Sequence, residues 1–364
     1  MITGSVSSFM ATRIVTRVRI SESLIMKRLV SLLFLAAAAG SAFADDARWV
    51  EYPGGEGPGK GKHIVLIGAS DEQYHPEEVM PQFGKILSQR HGFRCTVLFT
   101  IDPKSGNILH AHNAPVHNIP GLEALKSADL MIVFARFCRL PDDQMQHIVE
   151  YAESGRPIIG IRGATHAFEL PRDSKFAKYS MGGGPDYRGG FGRQILGECW
   201  QGHHGTHSKE STRGILVKEA AEHPILKGIK QGDIWGATDV YGVNPMKPFT
   251  PLVLGQVLTG LNRDDPPVEG KKNDPMMPVA WTRTYRTATG KDARVFTTTM
   301  GSAQDFAVAG TRRMLINACY WCVGLEDDKI DAKSNVDLVG EFKGTPQGKA
   351  GPKGVKPSDH ALPK

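Results

Sequence analysis

The sequence predicts a protein of the α/β class, a three-layer α/β/α sandwich around a mostly parallel central sheet. Strand-like and helix-like segments alternate through the first half of the chain, which is the pattern of βαβ units. The strand-like segments are apolar at almost every position, as expected of parallel strands that are covered on both faces. About 270 residues between the two ends are enough for one core, and we expect a single domain.

The beginning of the chain has the features of an export leader. A short basic segment at residues 26–28 precedes an apolar run and an Ala-x-Ala cleavage signal at residues 42–44. We therefore predict a leader over residues 1–44, with Met26 as the true start, and a periplasmic or secreted protein. The apolar run is too short for a stable transmembrane anchor, so no anchor is predicted.

The rest of the chain is predicted to have three parts. Residues 45–61 form a linker rich in Gly and Pro, residues 62–328 form the domain, and residues 329–364, rich in Lys, Gly and Pro, are expected to be disordered. The leader carries a net charge of +4 and residues 343–364 another +4, out of +6 for the whole chain, which leaves the remainder at −2. The basic character belongs to the two ends, and no nucleic-acid partner is predicted.

The domain is predicted to begin with a strand at His63–Ala69 and a helix at Pro76–His91, which carries Val79, Phe83 and Ile86 on one face. Two more strands and a second helix follow, and that helix has Pro at its start, where the missing N–H costs nothing. These strands lie at residues 93–100 and 128–135, the helix lies at 141–154, and a buried strand at 157–161 comes next.

The second half of the domain is richer in strands. The final helix is amphipathic and ends at Gly324, a residue suited to a C-terminal cap. Apolar segments predict strands at residues 192–198, 212–218, 251–258, 278–285 and 293–299, and they predict this helix at residues 310–324.

The strand at 157–161 runs directly into a tight turn and a helix start. In α/β enzymes with a nucleophile elbow, this turn holds the nucleophile on a strained backbone above the sheet. The residue here is Arg162, and a guanidinium that stays protonated cannot attack a carbonyl. It can bind an oxyanion, a carboxylate or a sugar hydroxyl. We therefore expect a pocket around a fixed positive charge in place of covalent chemistry.

Ionisable side chains follow three of the predicted strands, at the end where open α/β sheets bind their ligands. One group alone would mean little, because loops at strand ends are usually polar. Three groups at neighbouring strands predict one shared crevice. The groups are Asp71, Glu72 and His75, then Arg136 and Arg139, then Arg162 and His166.

Three histidines, His203, His204 and His207, lie in one Gly-containing loop. They could bind Zn²⁺ or another divalent cation, although no obvious set of partner ligands exists in the sequence. Direct contact with substrate is the favoured alternative, since imidazole serves as an acid or a base near neutral pH.

Two further places are candidates for substrate binding. Asp239, followed by Tyr241, comes after a predicted strand and either supplies a carboxylate to the crevice or faces water. Ser302 either lines the pocket or caps the last helix as its N-cap.

The chain resembles the ThuA-like family of trehalose-utilisation proteins, which have a class I glutamine-amidotransferase-like fold with flavodoxin-like topology. The resemblance extends from His63 to about Glu326. The segments that carry it are GRPIIGIRGATHAF, GILVKEAAEHPILKGI, DIWGATDVY, PVAWTRTY, ARVFTTTMGSAQDF and LINACYWCVGL.

This chain departs from the family's usual pattern at two positions of the expected pocket. The family usually has His where Arg162 stands, and Leu-Gly-His where this chain has Met300, Gly301 and Ser302. Asp239 with Tyr241, and His75, fit the family pattern. The resemblance therefore indicates a divergent exported bacterial subgroup, whose site would comprise Asp71, Glu72, Arg162, His166 and the three histidines of the loop.

The resemblance implies a role in sugar utilisation, on 3-keto-sugars made by an upstream sugar 3-dehydrogenase. We predict that His166 or Glu72 removes the C2 proton and that Arg162 stabilises the enolate oxygen. His204 or His207 would protonate the departing glycosidic oxygen. Isomerisation would use the same enolate. The alternative is a non-catalytic carbohydrate-binding or accessory protein, and amidotransferase chemistry is not expected without a Cys at the elbow.

Overall fold

The structure is a computed structural model that describes residues 47–325 and 330–362, together with Met1 and Gly4. Contacts divide the chain into two units, Met1–Asp46 and Ala47–Lys364, and all of the elements described below belong to the second. Apart from Met1 and Gly4, the predicted leader lies outside the described residues. Among the helices of the described part, none combines the length and the apolar character needed to cross a membrane.

The described residues contain ten strands that form one sheet, in the order β1-β3-β2-β4-β5-β10-β9-β8-β6-β7. The strands are β1 Trp49–Tyr52, β2 His63–Ala69, β3 Arg94–Phe99, β4 Leu130–Ala135, β5 Ile158–Ile161, β6 Ser211–Leu216, β7 Trp235–Gly236, β8 Thr250–Leu258, β9 Met277–Arg286 and β10 Asp292–Thr298.

The sheet is mixed, so the α/β class is confirmed and the prediction of a mostly parallel sheet is wrong. Among the described strands, β3, β2, β4, β5 and β10 make four parallel pairs, and the remaining five pairs are antiparallel. Parallel neighbours need a crossover of about a dozen residues or more. Only five residues separate Arg286 from Asp292, so β9 and β10 can pair only as an antiparallel hairpin.

Both faces of the sheet are apolar. On β2, Ile64 and Leu66 belong to one buried cluster, and Val65 and Ile67 to another, because successive side chains of a strand point to opposite faces. Helices α1, α3 and α4 contribute to the first cluster and helix α2 to the second. The helices are α1 Pro76–His91, α2 Asp142–Glu153, α3 Ala303–Phe306 and α4 Ala309–Cys322.

Most predicted elements are present within one or two residues of the expected bounds, but the strand predicted at residues 192–198 is wrong. This segment is a π-helical turn, Gly192–Leu196. Its apolar residues lie across the face of the sheet, where the Leu196 carbonyl accepts hydrogen bonds from Trp281 Nε1 and Thr297 Oγ1, both at 3.0 Å. A short apolar run does not show whether it pairs with a strand or packs on top of one.

The predicted linker, residues 45–61, contains an edge strand. The alternation in Trp49–Tyr52 buries Val50 and Tyr52, and β1 pairs antiparallel with β3. The Gly and Pro residues that suggested a linker come only after this strand. Two buried side chains and the pairing with β3 therefore attach a segment whose overall composition is that of a loop.

The segment predicted to be disordered, residues 329–364, packs against the domain over its described part. We name residues 330–362 the C-terminal strap. Glu78 of α1 accepts hydrogen bonds from Thr345 N at 2.8 Å and Thr345 Oγ1 at 2.5 Å, and Tyr52 Oη donates to the His360 carbonyl at 2.8 Å. The strap also places Ile330 and Val336 in the buried cluster that contains Ile64. Overall composition does not reveal these apolar contacts or the hydrogen bonds to distant residues.

A buried carboxylate lies beneath the strap at the start of α1. Glu77 Oε1 is 2.9 Å from Nδ1 of both His75 and His110, and Gly351 of the strap packs against His75 and Glu77. Burial by itself would lower the pKa of both histidines, but the Glu77 carboxylate outweighs it and raises both. Burial would raise the pKa of Glu77, but the two imidazoles hold it below its ordinary value.

These shifts predict how the stability of the protein depends on pH. Histidines with a raised pKa stabilise the fold below their ordinary pKa of 6.5, and the effect is lost as the pH rises through the raised value. The lowered pKa of Glu77 adds stability above its ordinary 4.5. We expect Glu77→Gln to lower the free energy of unfolding by about 1–3 kcal/mol at about pH 6, and by less at about pH 8.5. Urea denaturation measures both values.

Glu123→Gln is the matched control, because Glu123 is exposed and an exposed substitution changes stability by about 0.5 kcal/mol or less. An equal loss at both pH values for Glu77→Gln would contradict the linkage between Glu77 and the two histidines.

Candidate functional site

Strained backbone marks the ends of three adjacent parallel strands. Ser70 after β2, Phe137 after β4 and Arg162 after β5 have φ values of 54°, 47° and 48°, in the left-handed region that non-glycine residues seldom adopt. Such conformations persist only where the surroundings impose them, and they concentrate at functional sites. The elbow turn predicted at Arg162 is present, and the three predicted groups of polar residues lie at neighbouring strands.

The Arg162 guanidinium is almost completely buried, and Arg162 is not among the residues that line the cavity described below. Nη1 donates hydrogen bonds to the backbone carbonyls of Asp239, at 2.9 Å, and of Thr299. Nη2 lies 3.4 Å from Asp239 Oδ1. The guanidinium carbon is 4.3 Å and 4.0 Å from the ring centres of Tyr74 and Tyr241, within the range of cation–π attraction. Arg162 therefore supports the floor of the site, and the structure does not place it where the predicted enolate oxygen would lie.

Backbone hydrogen bonds fasten the loop of three histidines to the segment that follows β7. The N–H groups of His204 and Gly205 both donate to the Val240 carbonyl at 2.9 Å. A Cβ at Gly205 would come within 3.1 Å of the Asp239 side chain, so this approach favours glycine. The loop is therefore held in a register that sets two of its imidazoles against one carboxylate.

That carboxylate is Asp239, which is completely buried. Oδ2 is 2.6 Å from His203 Nδ1, and Oδ1 is 3.2 Å from His207 Nδ1. Burial alone would raise the pKa of Asp239, but the hydrogen bonds from the two histidines and the charge of Arg162 outweigh it and hold the pKa below its ordinary value. Asp239 is therefore an anion at neutral pH, surrounded by donors. The interpretation of Asp239 as a residue facing water does not hold.

A cavity of about 240 Å³ opens above this carboxylate. Its walls combine aromatic rings with imidazoles, one guanidinium and one amide. Trp200, which the sequence analysis missed, lies with its ring centre 5.3 Å from that of His166 and 5.5 Å from that of His203. The only signal for Trp200 was its place next to the histidine loop. The lining residues are Gln73, Tyr74, Arg136, Phe137, His166, Trp200, His203, His207 and Tyr241.

His166 lines the cavity as a neutral imidazole. Its Nδ1 is 3.1 Å from Thr165 Oγ1, and its ring centre is 4.9 Å from that of Phe137. Burial, together with the positive charges of Arg136 and Arg162, holds the pKa of His166 well below its ordinary value. A neutral ring of such low basicity is suited to hydrogen bonding a substrate more than to removing a carbon-bound proton.

Several predicted catalytic residues are bound elsewhere. Glu72 Oε1 is 3.0 Å from Arg136 Nη1 and 2.7 Å from His112 Nδ1. Burial would raise the pKa of Glu72, but the hydrogen bonds from His112 and the charge of Arg136 lower it, so Glu72 is an ion-pair partner that positions Arg136. His204 Nε2 lies 2.8 Å from the Lys272 carbonyl, away from the cavity.

The remaining predicted residues lie around the cavity without lining it. Asp71 is buried behind the elbow, and burial raises its pKa to about 7. His75 is bound to Glu77, and Arg139 contacts His117 and the carbonyl of His112. Of the two alternatives for Ser302, the structure shows a cap, since Ser302 Oγ accepts a hydrogen bond from Asp305 N at 3.2 Å. The helix it caps is α3, not the last helix.

Two imidazoles and one carboxylate also make a donor set for a metal ion. One ligand atom from each of His203, His207 and Asp239 lies within 4.8 Å of the others. Nitrogen and carboxylate oxygen are ligands that Zn²⁺ accepts. The sequence suggested His203, His204 and His207 as metal ligands. In the structure Asp239 takes the place of His204 in this set.

These features define a class: an α/β protein with its cavity at the carboxyl ends of parallel strands, and with a buried arginine at the elbow position. Residues 117–322 match the ThuA family, described as trehalose utilisation. The match spans 206 of the 364 residues, and the chain belongs to the ThuA family, as predicted. The family implies a role in trehalose utilisation and, more broadly, in carbohydrate metabolism. No match to the chain is found among curated proteins.

Two solved structures similar to this chain are also described as ThuA-like. The protein from Parabacteroides merdae is 14% identical, with a TM-score of 0.47, over 84% of this chain and 100% of its own. The protein from Bacteroides uniformis is 16% identical, with a TM-score of 0.41, over 77% of this chain and 98% of its own.

The buried ion pair predicts a large effect on stability. We expect Arg162→Met to lower the free energy of unfolding by about 3–5 kcal/mol, because it leaves the buried Asp239 anion short of one compensating charge. Urea denaturation measures the change, with the exposed Arg172→Met as the matched control. A loss smaller than about 1 kcal/mol would show that the two histidines compensate Asp239 without Arg162.

Proposed function

We propose that this protein acts on a sugar, or a 3-keto-glycoside, by acid–base chemistry at the cavity above Asp239. One observation carries the proposal: a buried anion orients the His203 ring, which is about one-third exposed and lines the cavity. Hydrogen bonding of Nδ1 to a carboxylate fixes the tautomer with a basic Nε2, as in His–Asp pairs of hydrolytic enzymes. His203 is thus the base that this proposal puts in the place of His166 and Glu72.

The walls of the cavity suit a carbohydrate. Trp200, Tyr241 and Phe137 offer apolar faces to the C–H groups of a sugar ring, while Arg136, His166 and Gln73 offer polar groups to its hydroxyls. A volume of about 240 Å³ lies below the roughly 300–1,000 Å³ typical of sites for drug-sized ligands. We infer that the cavity takes one sugar ring, with the second part of a glycoside outside it.

The chemistry follows from a ketone at C3, which acidifies the proton on C2. His203 Nε2 takes that proton, and the electron pair of the C–H bond forms the enolate, whose oxygen Arg136 stabilises from the wall. The enolate then expels the glycosidic oxygen from C1, and this oxygen takes the proton from the His203 imidazolium. Water then adds across the C1–C2 double bond, its oxygen to C1 and a proton to C2. If the enolate instead takes the proton at C3 while the C2 hydroxyl gives up its own proton and becomes the carbonyl, the result is isomerisation.

This assignment predicts which histidine matters. We expect His203→Gln to lower kcat for a 3-keto-disaccharide by about 10²–10⁴-fold, the usual contribution of a general base. His204→Gln is the matched comparison, because His204 is the next residue and faces Lys272, and its kcat should stay within about threefold of the parent protein. Product formation is followed by NMR, with the unoxidised disaccharide as a second substrate.

The outcomes separate the proposal from its alternatives. Turnover of the keto-sugar, lost in His203→Gln and kept in His204→Gln, supports the proposed base. Saturable binding without turnover points to the alternative, a non-catalytic carbohydrate-binding protein. The absence of both binding and turnover would contradict the proposed substrate class.

A metal-assisted reaction is the second candidate, favoured by the donor set of His203, His207 and Asp239. The acid–base proposal predicts that turnover is unchanged after treatment with EDTA, because His203 is then an unligated base. Loss of turnover with EDTA and its recovery with Zn²⁺ would favour a metal-bound water as the base in place of His203. Metal content of the untreated protein gives an independent measurement.

Export of the protein is proposed on the leader sequence alone. The same applies to a sugar 3-dehydrogenase as the upstream source of substrate, which the proposed ketone at C3 requires.

A further inference from the structure

A second and larger cavity, of about 690 Å³, lies between the C-terminal strap and helices α1 and α3. Its size is within the roughly 300–1,000 Å³ that is typical of sites for small ligands. It shares no lining residue with the cavity above Asp239. The family match ends at residue 322, so the strap side of this cavity comes from outside the matched part of the chain.

The strap touches both cavities. Pro346 lines the second one, and the side-chain amide nitrogen of the next residue, Gln347, lies 2.7 Å from His207 Nδ1. Gly348 N donates a hydrogen bond to the carbonyl of Gln73, which lines the first cavity, at 3.2 Å. A ligand in the second cavity would therefore lie against the same stretch of strap that borders the candidate functional site.

The second cavity has apolar walls, and several of its polar groups already have partners. Glu78 accepts hydrogen bonds from Thr345 N and Oγ1, and Gln82 Nε2 donates to the Val339 carbonyl at 3.3 Å. Apolar walls with a small number of free polar groups are typical of sites for small molecules. The apolar lining residues are Pro81, Val339, Phe342, Pro346 and Pro352.

Lys85 of α1 lines this cavity with a charge that nothing balances. Among the residues that the structure describes, none forms an ion pair or a hydrogen bond with its ammonium group, and burial lowers its pKa. His360, also in the lining, is neutral, because burial and the charge of Lys85 lower its pKa to about 4. Glu341 and Lys343 are exposed and opposite in charge. The cavity therefore contains one half-buried positive charge without a counterion.

We propose that this cavity binds a small amphipathic anion, with its acidic group on Lys85 and its apolar body against Phe342 and the prolines. Partial burial removes some of the water that would solvate the ammonium group, and a carboxylate or sulfonate replaces that water with charge-assisted hydrogen bonds. A neutral ligand would leave the charge without a partner. The site does not depend on the proposed function, and either proposal can fail without the other.

The experiment uses the dye anilinonaphthalene sulfonate, an apolar aromatic anion whose fluorescence rises when it leaves water. The dye is titrated into the full chain, and octanoate, phenylacetate or octanol is then added as a competitor. We expect saturable binding at one site and displacement by the carboxylates. Octanol, which has no charge, should compete at least about tenfold more weakly than octanoate. Comparison of octanoate with phenylacetate shows whether the site prefers an aliphatic or an aromatic body.

Three variants test the role of Lys85. Lys85→Met keeps an apolar stem and removes the charge, so it should bind the dye at least about tenfold more weakly and lose the preference for octanoate over octanol. Lys85→Arg should keep binding, and Lys85→Glu should abolish it. Lys349→Met is the matched control, because Lys349 is an exposed lysine of the strap outside the lining, and it should bind like the parent protein.

Three results would each overturn the proposal: no saturable binding of the dye by the parent protein, equal binding by the parent protein and Lys85→Met, or competition by octanol as strong as that by octanoate. Thermal unfolding of each variant shows whether it is folded. If Lys85→Met is not, the comparison of Lys85→Arg with Lys85→Glu decides, and equal affinity of these two for the dye would contradict the site.

Discussion

The site depends on one buried interaction, between the Arg162 guanidinium and the Asp239 carboxylate. Both side chains are almost completely removed from water, with exposures of 1% and 0%, and an unpaired charge at such depth would cost several kcal/mol. Arg162 also binds the Asp239 and Thr299 carbonyls. One side chain on a strained turn thus joins the end of β5, the end of β10 and the segment after β7. The charge it supplies allows Asp239 to remain an anion and to orient His203 and His207.

An arginine at the elbow position changes what the fold can do there. A nucleophile elbow exposes its side chain at the top of the sheet, whereas Arg162 turns inward between the rings of Tyr74 and Tyr241. Reactive groups must then come from elsewhere, and in the proposed function the histidine loop next to the buried pair supplies them. The lining of the cavity combines imidazoles and aromatic rings with the Arg136 guanidinium, which Glu72 holds in place.

The C-terminal strap joins the core to the edge of the cavity. Ile330 and Val336 belong to the buried cluster on one face of the sheet, and Phe342 packs against it. Hydrogen bonds also connect the strap to α1 and to Tyr52. The surroundings of His207 therefore depend in part on residues beyond the family match, because the Gln347 amide contacts its ring.

The sequence by itself determined the α/β class, the bounds of β2 and α1, the elbow turn at Arg162 and the family, because these follow from local periodicity and contiguous motifs. It also identified His203, His207 and Asp239 as candidates. Only the tertiary structure decided their partners: that His204 faces Lys272, that Glu72 binds Arg136, and that Gln347 contacts His207 across 140 residues. The direction in which a side chain points, and the pairing of strands across a sheet, depend on contacts between distant residues, and local composition carries no record of them.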